Sequence, residues 1–223
     1  LKEKLATVRA QMKKLEAIGR QLEVAPDQQI SLTDPDARSM ATSGRGTGMV
    51  GYNVQAAVDT KHHLIVTHEV GNEGHDRNQL SPMSQQTKEA LGTKDLTVLA
   101  DRGYFSGEEI LKCEQAQIRA LVPKPMTSNS TANGRFDKRD FIYEPKHDRY
   151  RCPAGEHATW RFSSTEKGMV IHKYWSSACT KCPIRSACTT DQYRRINRWE
   201  HEDVVERMQR RIDGMPQAGR LRR

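Results

Sequence analysis

An apolar run that ends in a carboxylate constrains this chain more than any other feature. Val98, Leu99 and Ala100 lead into Asp101, and Gly103 breaks the run before a helical pattern begins. These residues predict a buried, central strand that is followed by a turn and a helix, with Asp101 where the strand ends. A carboxylate held there is rigid and open to solvent, as a catalytic metal ligand must be. The other interpretation is that Asp101 caps the next turn or helix.

The patterns around this run predict an α/β layer. Residues 52–59 and 64–70 predict the two strands of an antiparallel hairpin. Residues 76–91 predict a helix with Asp76 as its N-cap, and residues 118–123 predict a further strand. The order of hairpin, helix, strand, helix and strand is typical of a mixed sheet with flanking helices, which is an α/β fold.

Changes in composition divide the chain into four segments. Residues 1–30 predict a helical segment whose leucine seam is typical of coiled-coil packing, and residues 31–125 predict the α/β core. Residues 126–190 hold four of the five cysteines and short strand-like pieces, and we interpret them as an insertion. Residues 191–223 are rich in arginine, and the part from 193 to 213 predicts a helix.

Charge and hydropathy restrict the classes of function. The net charge is +8 and the sequence pI is near 9.3, which favours a polyanionic partner. No run approaches the ~18 apolar residues of a transmembrane helix, and no signal-peptide pattern is present. We therefore expect neither a membrane partner nor secretion.

Four cysteines have spacings that suit a metal. Cys152, Cys179, Cys182 and Cys188 form the pattern C-x26-C-x2-C-x5-C. Two thiolates on one tight turn suit a tetrahedral zinc ion, and two more would complete a structural site. Free cytosolic thiols, disulfides in a secreted protein and a redox-active pair are the alternatives. Cys113 lies in the helix after Asp101 and is predicted to be a core residue.

Arginines near the C-terminal end are candidate contacts for DNA. These candidates are Arg194, Arg195, Arg198, Arg220, Arg222 and Arg223. These arginines form two groups, at residues 194–198 and 220–223. Between the two groups, acidic residues balance the positive charge, which is typical of a solvated helix face. The unbalanced groups are better suited to contact the phosphates of double-stranded DNA.

Three motifs, taken in order, resemble those of bacterial insertion-sequence transposases of the DDE type. They are DPDAR over residues 34–38, GYNVQAAVD over residues 51–59 and ADRGY over residues 100–104. The resemblance is to the branch with an inserted helical segment and a cysteine-bearing region, and it covers essentially the whole chain. It implies an RNase H-like catalytic core in which three acidic residues hold two Mg²⁺ (or Mn²⁺) ions.

The resemblance assigns one of these three acids. Asp101 matches the second acid, which lies in the ADRGY motif. The first belongs to an Asp-Gly-Ser or Asp-Gly-Thr motif and the third to a Glu-His-Pro-Phe-Gly motif, and neither motif occurs in these residues. We therefore expect a fragment of a longer reading frame that is inactive on its own. The resemblance also implies a homo-oligomer that acts on paired DNA ends in the bacterial cytoplasm, associated with the nucleoid.

A fragment of a DDE transposase, which cleaves DNA and transfers the cut strand, is the leading hypothesis. A non-catalytic, zinc-stabilised DNA-binding remnant of a mobile element is the first alternative, since two of the three acids are unmatched. The second alternative is a metal-dependent nuclease of the same fold that cuts without joining. The third is a soluble α/β domain with an unrelated partner.

Overall fold

The first element of the chain is a long, exposed helix. The computed structural model describes residues 1–25, 27–40, 48–125 and 130–215. Helix α1 covers Lys2–Val24, and none of its residues is buried. The seam that includes Leu5, Met12 and Leu15 is therefore open to solvent, and its packing in a coiled coil stays a prediction. Among the described helices, none is both long enough and apolar enough to cross a bilayer.

The α/β part of the chain follows as strands that pair locally, together with two helices. Its elements are β1 (Arg38–Met40), β2 (Met49–Gly51), β3 (Asn53–Val58), β4 (Ile65–Gly71), α2 (Leu80–Leu91), β5 (Leu96–Leu99), α3 (Gly107–Gln115) and β6 (Ile118–Leu121). Strands β1 and β2 are antiparallel, as are β3 and β4. Strands β5 and β6 are parallel, because α3 provides the crossover that a parallel pair requires. The predicted hairpin and the α/β character are confirmed.

The predicted mixed sheet is hydrogen-bonded as separate pairs. Within the described residues, the backbone partner of β5 is β6, whereas β3 pairs with β4. Strand β5 is also only partly buried, so the prediction of a buried, central strand is wrong for the described part of the chain. Side chains of β3 link the hairpin to the segments that precede α2 and follow β5, as described below for the candidate site.

An antiparallel sheet of five strands begins in the predicted insertion and takes its last strand from the segment that follows. Its strands are β7 (Ile142–Glu144), β8 (Arg149–Arg151), β9 (His157–Glu166), β10 (Met169–Trp175) and β11 (Ile196–Trp199). They are arranged in the order β11, β10, β9, β8, β7. A cluster of buried residues that includes Tyr150, Tyr174 and Ile196 packs on this sheet and forms a hydrophobic core of its own.

The C-terminal segment joins this sheet to the α/β core. The prediction of a helix over 193–213 is wrong at its start, because Ile196–Trp199 forms strand β11 against β10. Helix α4 begins only at Glu202 and ends at Asp213. Buried residues of α4, among them Val204 and Met208, pack in the same hydrophobic cluster as residues of α3 and β6.

Candidate active site

Asp101 lies directly after strand β5, at the surface. Its side chain is exposed, and its Oδ1 accepts a hydrogen bond of 2.7 Å from the backbone N–H of Gly103. Asp101 is thereby the N-cap of a short 3-10 turn over Arg102–Tyr104. Both sequence-based interpretations of this residue are therefore compatible, since one oxygen caps the turn while the side chain remains open to solvent.

A second carboxylate, that of Asp76, lies beside Asp101. A Cβ atom placed on Gly103 would be 3.0 Å from Asp101 Oδ1 and 3.4 Å from Asp76 Oδ2, so both carboxylates flank this glycine. The Oδ1 atom of Asp76 accepts hydrogen bonds from Asn53 Nδ2 (2.8 Å) and Gln55 Nε2 (2.7 Å). Two neutral amide donors thus orient the Asp76 carboxylate.

The prediction that Asp76 caps a helix is wrong. Helix α2 begins at Leu80 with Gln79 at the N-cap position, three residues after Asp76. The backbone N–H of Ser81, in the first turn of α2, is instead bound by Glu109 Oε2 at 2.9 Å, from helix α3. Asp76 was missed as a site residue because a local role explained it. The alternation of Asn53 and Gln55 on one face of a strand was the available signal for polar side chains that point towards a partner.

Tyr104 connects the turn of Asp101 to the hairpin. Its hydroxyl donates to Oε1 of Gln55, a residue that is 4 % exposed. Burial raises the pKa of Tyr104, and the charges of Asp76 and Asp101 raise it further. The tyrosine therefore remains protonated, and the chain Asp76–Gln55–Tyr104 holds the turn against strand β3.

The residues present fit part of a site for a hard divalent cation. Asp76 and Asp101 supply carboxylate oxygens, the donors that Mg²⁺ prefers. Within the described residues, no group of three or more His, Cys, Asp or Glu side chains is arranged to hold a metal ion. Asp101 and Asp76 could therefore hold such an ion only together with further ligands.

The four cysteines of the insertion come together around one small cavity. Cys152, Cys179, Cys182 and Cys188 all line a space of about 30 Å³, and each is a free thiol. Burial raises the pKa of Cys188, and the other three cysteines raise it further. The positive charge of Arg194 opposes this shift. The convergence is what a shared ion would require, but the thiols are not arranged as a metal site in the described chain. Zinc binding therefore stays a prediction.

Only part of the arginine cluster is accessible. Arg198 is 7 % exposed, stacks 3.7 Å from the centroid of the Tyr143 ring and pairs with Glu206. Its guanidinium stabilises the five-stranded sheet and α4, so we leave it out of the candidate DNA contacts. Arg195 is exposed and Arg194 is half-buried. The remaining candidates, Arg220, Arg222 and Arg223, lie outside the described residues.

Comparison with known proteins identifies a family. The model of a family described as the transposase DDE domain matches residues 25–212, which is most of the chain. No curated protein and no solved structure matches it.

Proposed function

We propose a function from one premise, that the chain belongs to the transposase DDE domain family. The family acts on DNA and generally uses divalent metal ions. We propose that this chain is part of an enzyme that cleaves DNA at the ends of an insertion sequence and joins the freed strand to target DNA. The first and third catalytic acids, whose motifs do not occur in these residues, would come from other parts of the enzyme.

The observation that carries the proposal is the position of Asp101. It stands at the end of a strand, exposed, on a turn that Gly103 and Tyr104 hold in place. Divalent ions bound there would neutralise charge at the attacking and leaving oxygens of the phosphodiester. The part of Asp101 is to bind such an ion, and Asp76 increases the local negative charge beside it.

Analysis of reaction products tests the proposed reaction. A protein that carries this chain and all three acids is incubated with Mg²⁺ and linear DNA that includes the sequences flanking the reading frame. We expect cleaved ends and products in which a 3′-hydroxyl end is joined to a second DNA. Cleavage without joining would favour the nuclease, and DNA binding without cleavage would favour the non-catalytic remnant.

A second proposal concerns the cysteines. We propose that Cys152, Cys179, Cys182 and Cys188 bind one structural Zn²⁺ ion, after small shifts of side chains that already line one cavity. Metal analysis of the purified protein should find one zinc per chain, and a Cys182→Ser variant should lose it. A control variant, Cys113→Ser, should keep it, because Cys113 is buried in the other core. Protein without stoichiometric zinc and with four freely titrating thiols would contradict this proposal.

Contacts with DNA and assembly are further parts of the proposal. Arg194 and Arg195 would contact phosphates, and Arg220, Arg222 and Arg223 would extend these contacts. A homo-oligomer on paired DNA ends, in the bacterial cytoplasm and associated with the nucleoid, follows from the family resemblance alone.

A further inference from the structure

A cavity of about 410 Å³ opens where the α/β core meets the five-stranded sheet. Phe105 and Gly107 line it from the core side, and Met169 and Ile171 line it from β10. Its volume lies within the range of small-molecule sites, roughly 300–1,000 Å³. Asp101 is not among the lining residues, so this cavity is distinct from the candidate metal site.

The cavity carries an excess of positive charge. Four cationic side chains line it against one carboxylate, that of Glu202; they belong to Lys124, Lys138, Arg194 and Arg195. Burial opposes the ionisation of Glu202, but Lys138 and Lys124 hold its pKa below the usual value. Glu202 therefore stays charged and neutralises only one of the four cations, which leaves the cavity suited to an anion.

The single carboxylate is already fully engaged. Its Oε1 lies 2.7 Å from Lys138 Nζ and 3.3 Å from Lys124 Nζ, and its Oε2 accepts from the backbone N–H of Trp199. The Nε atom of Arg194 is buried and has no hydrogen-bond partner within the described residues. Arg194 also lines the cavity of the cysteines, and its guanidinium lies over the Phe141 ring, so we do not assign this donor to the ligand.

The other walls of the cavity are apolar and partly aromatic. Trp199 lies against Gly107 so closely that a Cβ atom on this glycine would be 2.9 Å from the indole Cζ3. Phe105, Ile171 and Ile196 continue the apolar surface. A cationic rim beside an aromatic wall matches a nucleotide, whose phosphate is anionic and whose base stacks on aromatic rings.

The cavity begins close to Asp101 in the chain. Phe105 ends the 3-10 turn that Asp101 caps, so one rigid turn connects the carboxylate to the wall of the cavity. A DNA strand with a phosphodiester at Asp101 could therefore reach the cavity at Phe105 with a neighbouring nucleotide.

We propose that this cavity binds one nucleotide of single-stranded DNA next to the phosphodiester at Asp101. Its phosphate contacts Lys124, Lys138 and Arg195, and its base packs on Phe105 and Trp199. The inference rests on the proposed function for the identity of the ligand, but it concerns binding alone. The base must be unpaired, because the faces of a base in a duplex are covered by its neighbours and cannot pack on Phe105 and Trp199.

Fluorescence of Trp199 provides the test. In a Trp160→Phe/Trp175→Phe background Trp199 is the remaining tryptophan, since the chain has three. Titration with a single-stranded pentanucleotide of thymidylate, (dT)5, should quench this fluorescence. The double variant Lys124→Ala/Arg195→Ala, which changes two exposed side chains, should weaken the binding at least ~10-fold, or ~1.4 kcal/mol.

The matched control removes the same two charges elsewhere. Lys94 precedes β5 and Arg119 lies on β6; both are exposed, and neither lines the cavity. Measured at the same salt concentration as the cavity variant, Lys94→Ala/Arg119→Ala should change the affinity for the oligonucleotide by less than ~2-fold. Thermal unfolding of both double variants checks that the fold is kept.

Three results would overturn the inference. One is equal binding by the cavity variant and the parent protein, and another is an equal loss in both double variants. The third is that inorganic phosphate competes as well as the pentanucleotide, which would reduce the site to an anion site. If these results occur while duplex DNA is still bound and cleaved, only this inference fails. If the protein binds no DNA in any form, the proposed function fails as well.

Discussion

Two carboxylates within a few ångströms of one glycine are the centre of this account at the scale of residues. The strand and the motif predict Asp101 as a site residue, whereas the sequence predicts for Asp76 a capping role that Glu109 fulfils by accepting from the backbone N–H of Ser81. The difference is physical. A strand that ends in an acid has a signature along the chain, but the approach of Asp76 depends on amide donors from β3 that are more than twenty residues away.

The position of Asp76 leads to a first prediction. Asp76→Asn keeps an oxygen that can accept from Asn53 and Gln55, but it removes a negative charge beside Asp101. In an active protein we expect the Mg²⁺ concentration for half-maximal cleavage to rise several-fold, which corresponds to a loss of about 1 kcal/mol in the free energy of ion binding. Asp95→Asn, at the opposite end of β5, is the control and should leave the Mg²⁺ dependence unchanged. Equal dependence in all three proteins would remove Asp76 from the site.

At the scale of elements, strong local patterns were predictive and long-range pairing was not. Helix α1, the hairpin of β3 and β4, and strand β6 follow from the sequence. The segment 193–199 was misread as helical, because its charged residues continue smoothly into α4. Burial decides the outcome, since Ile196, Arg198 and Trp199 are enclosed once β11 pairs with β10.

The contact between α3 and β11 provides a second prediction. Gly107→Ala would bring a Cβ to within 2.9 Å of the Trp199 ring, so we expect a loss of ~1–3 kcal/mol in the free energy of unfolding. Gly19→Ala, in the exposed helix α1 with nothing within 4 Å, is the matched control. It should be neutral or stabilise by up to ~1 kcal/mol. Denaturant unfolding of both variants measures the difference, and equal effects would contradict the proposed packing.

The core of the five-stranded sheet provides a third prediction, for alkaline pH. Burial raises the pKa of Tyr150 to about 12, although Arg198 opposes this shift. Because the unfolded tyrosine ionises from pH ~10, the unfolded state loses its proton first. The free energy of unfolding should therefore fall as pH rises from about 10 towards 12. Tyr150→Phe should lose stability at neutral pH but show a flatter alkaline profile; an unchanged profile would contradict burial of the hydroxyl.

At the scale of the whole molecule, two hydrophobic clusters are connected by one short strand. Ile196 packs in the cluster of the five-stranded sheet, and Trp199, three residues later, packs in the cluster of the α/β core. The cavity with its excess of positive charge lies at this junction. Phe105, which lines it, follows Asp101 by four residues in the chain. The sequence indicated a basic protein with a DNA partner, but charge alone could not say where the cations gather. The four cations follow β6, precede β7 and precede β11 in the chain, so they come together only where the five-stranded sheet packs on the α/β core.

The most direct test of the account is the rate of DNA cleavage by Asp101→Asn. The measurement uses a protein that supplies all three acids, with Asp95→Asn as the control for an exposed acid of the same strand region. We predict that Asp101→Asn abolishes Mg²⁺-dependent cleavage while DNA binding stays within a few-fold of the parent, because the amide keeps the turn but is a poor ligand for the ion. Cleavage at the parental rate would show that Asp101 is only the cap of its turn, and would contradict the proposed active site.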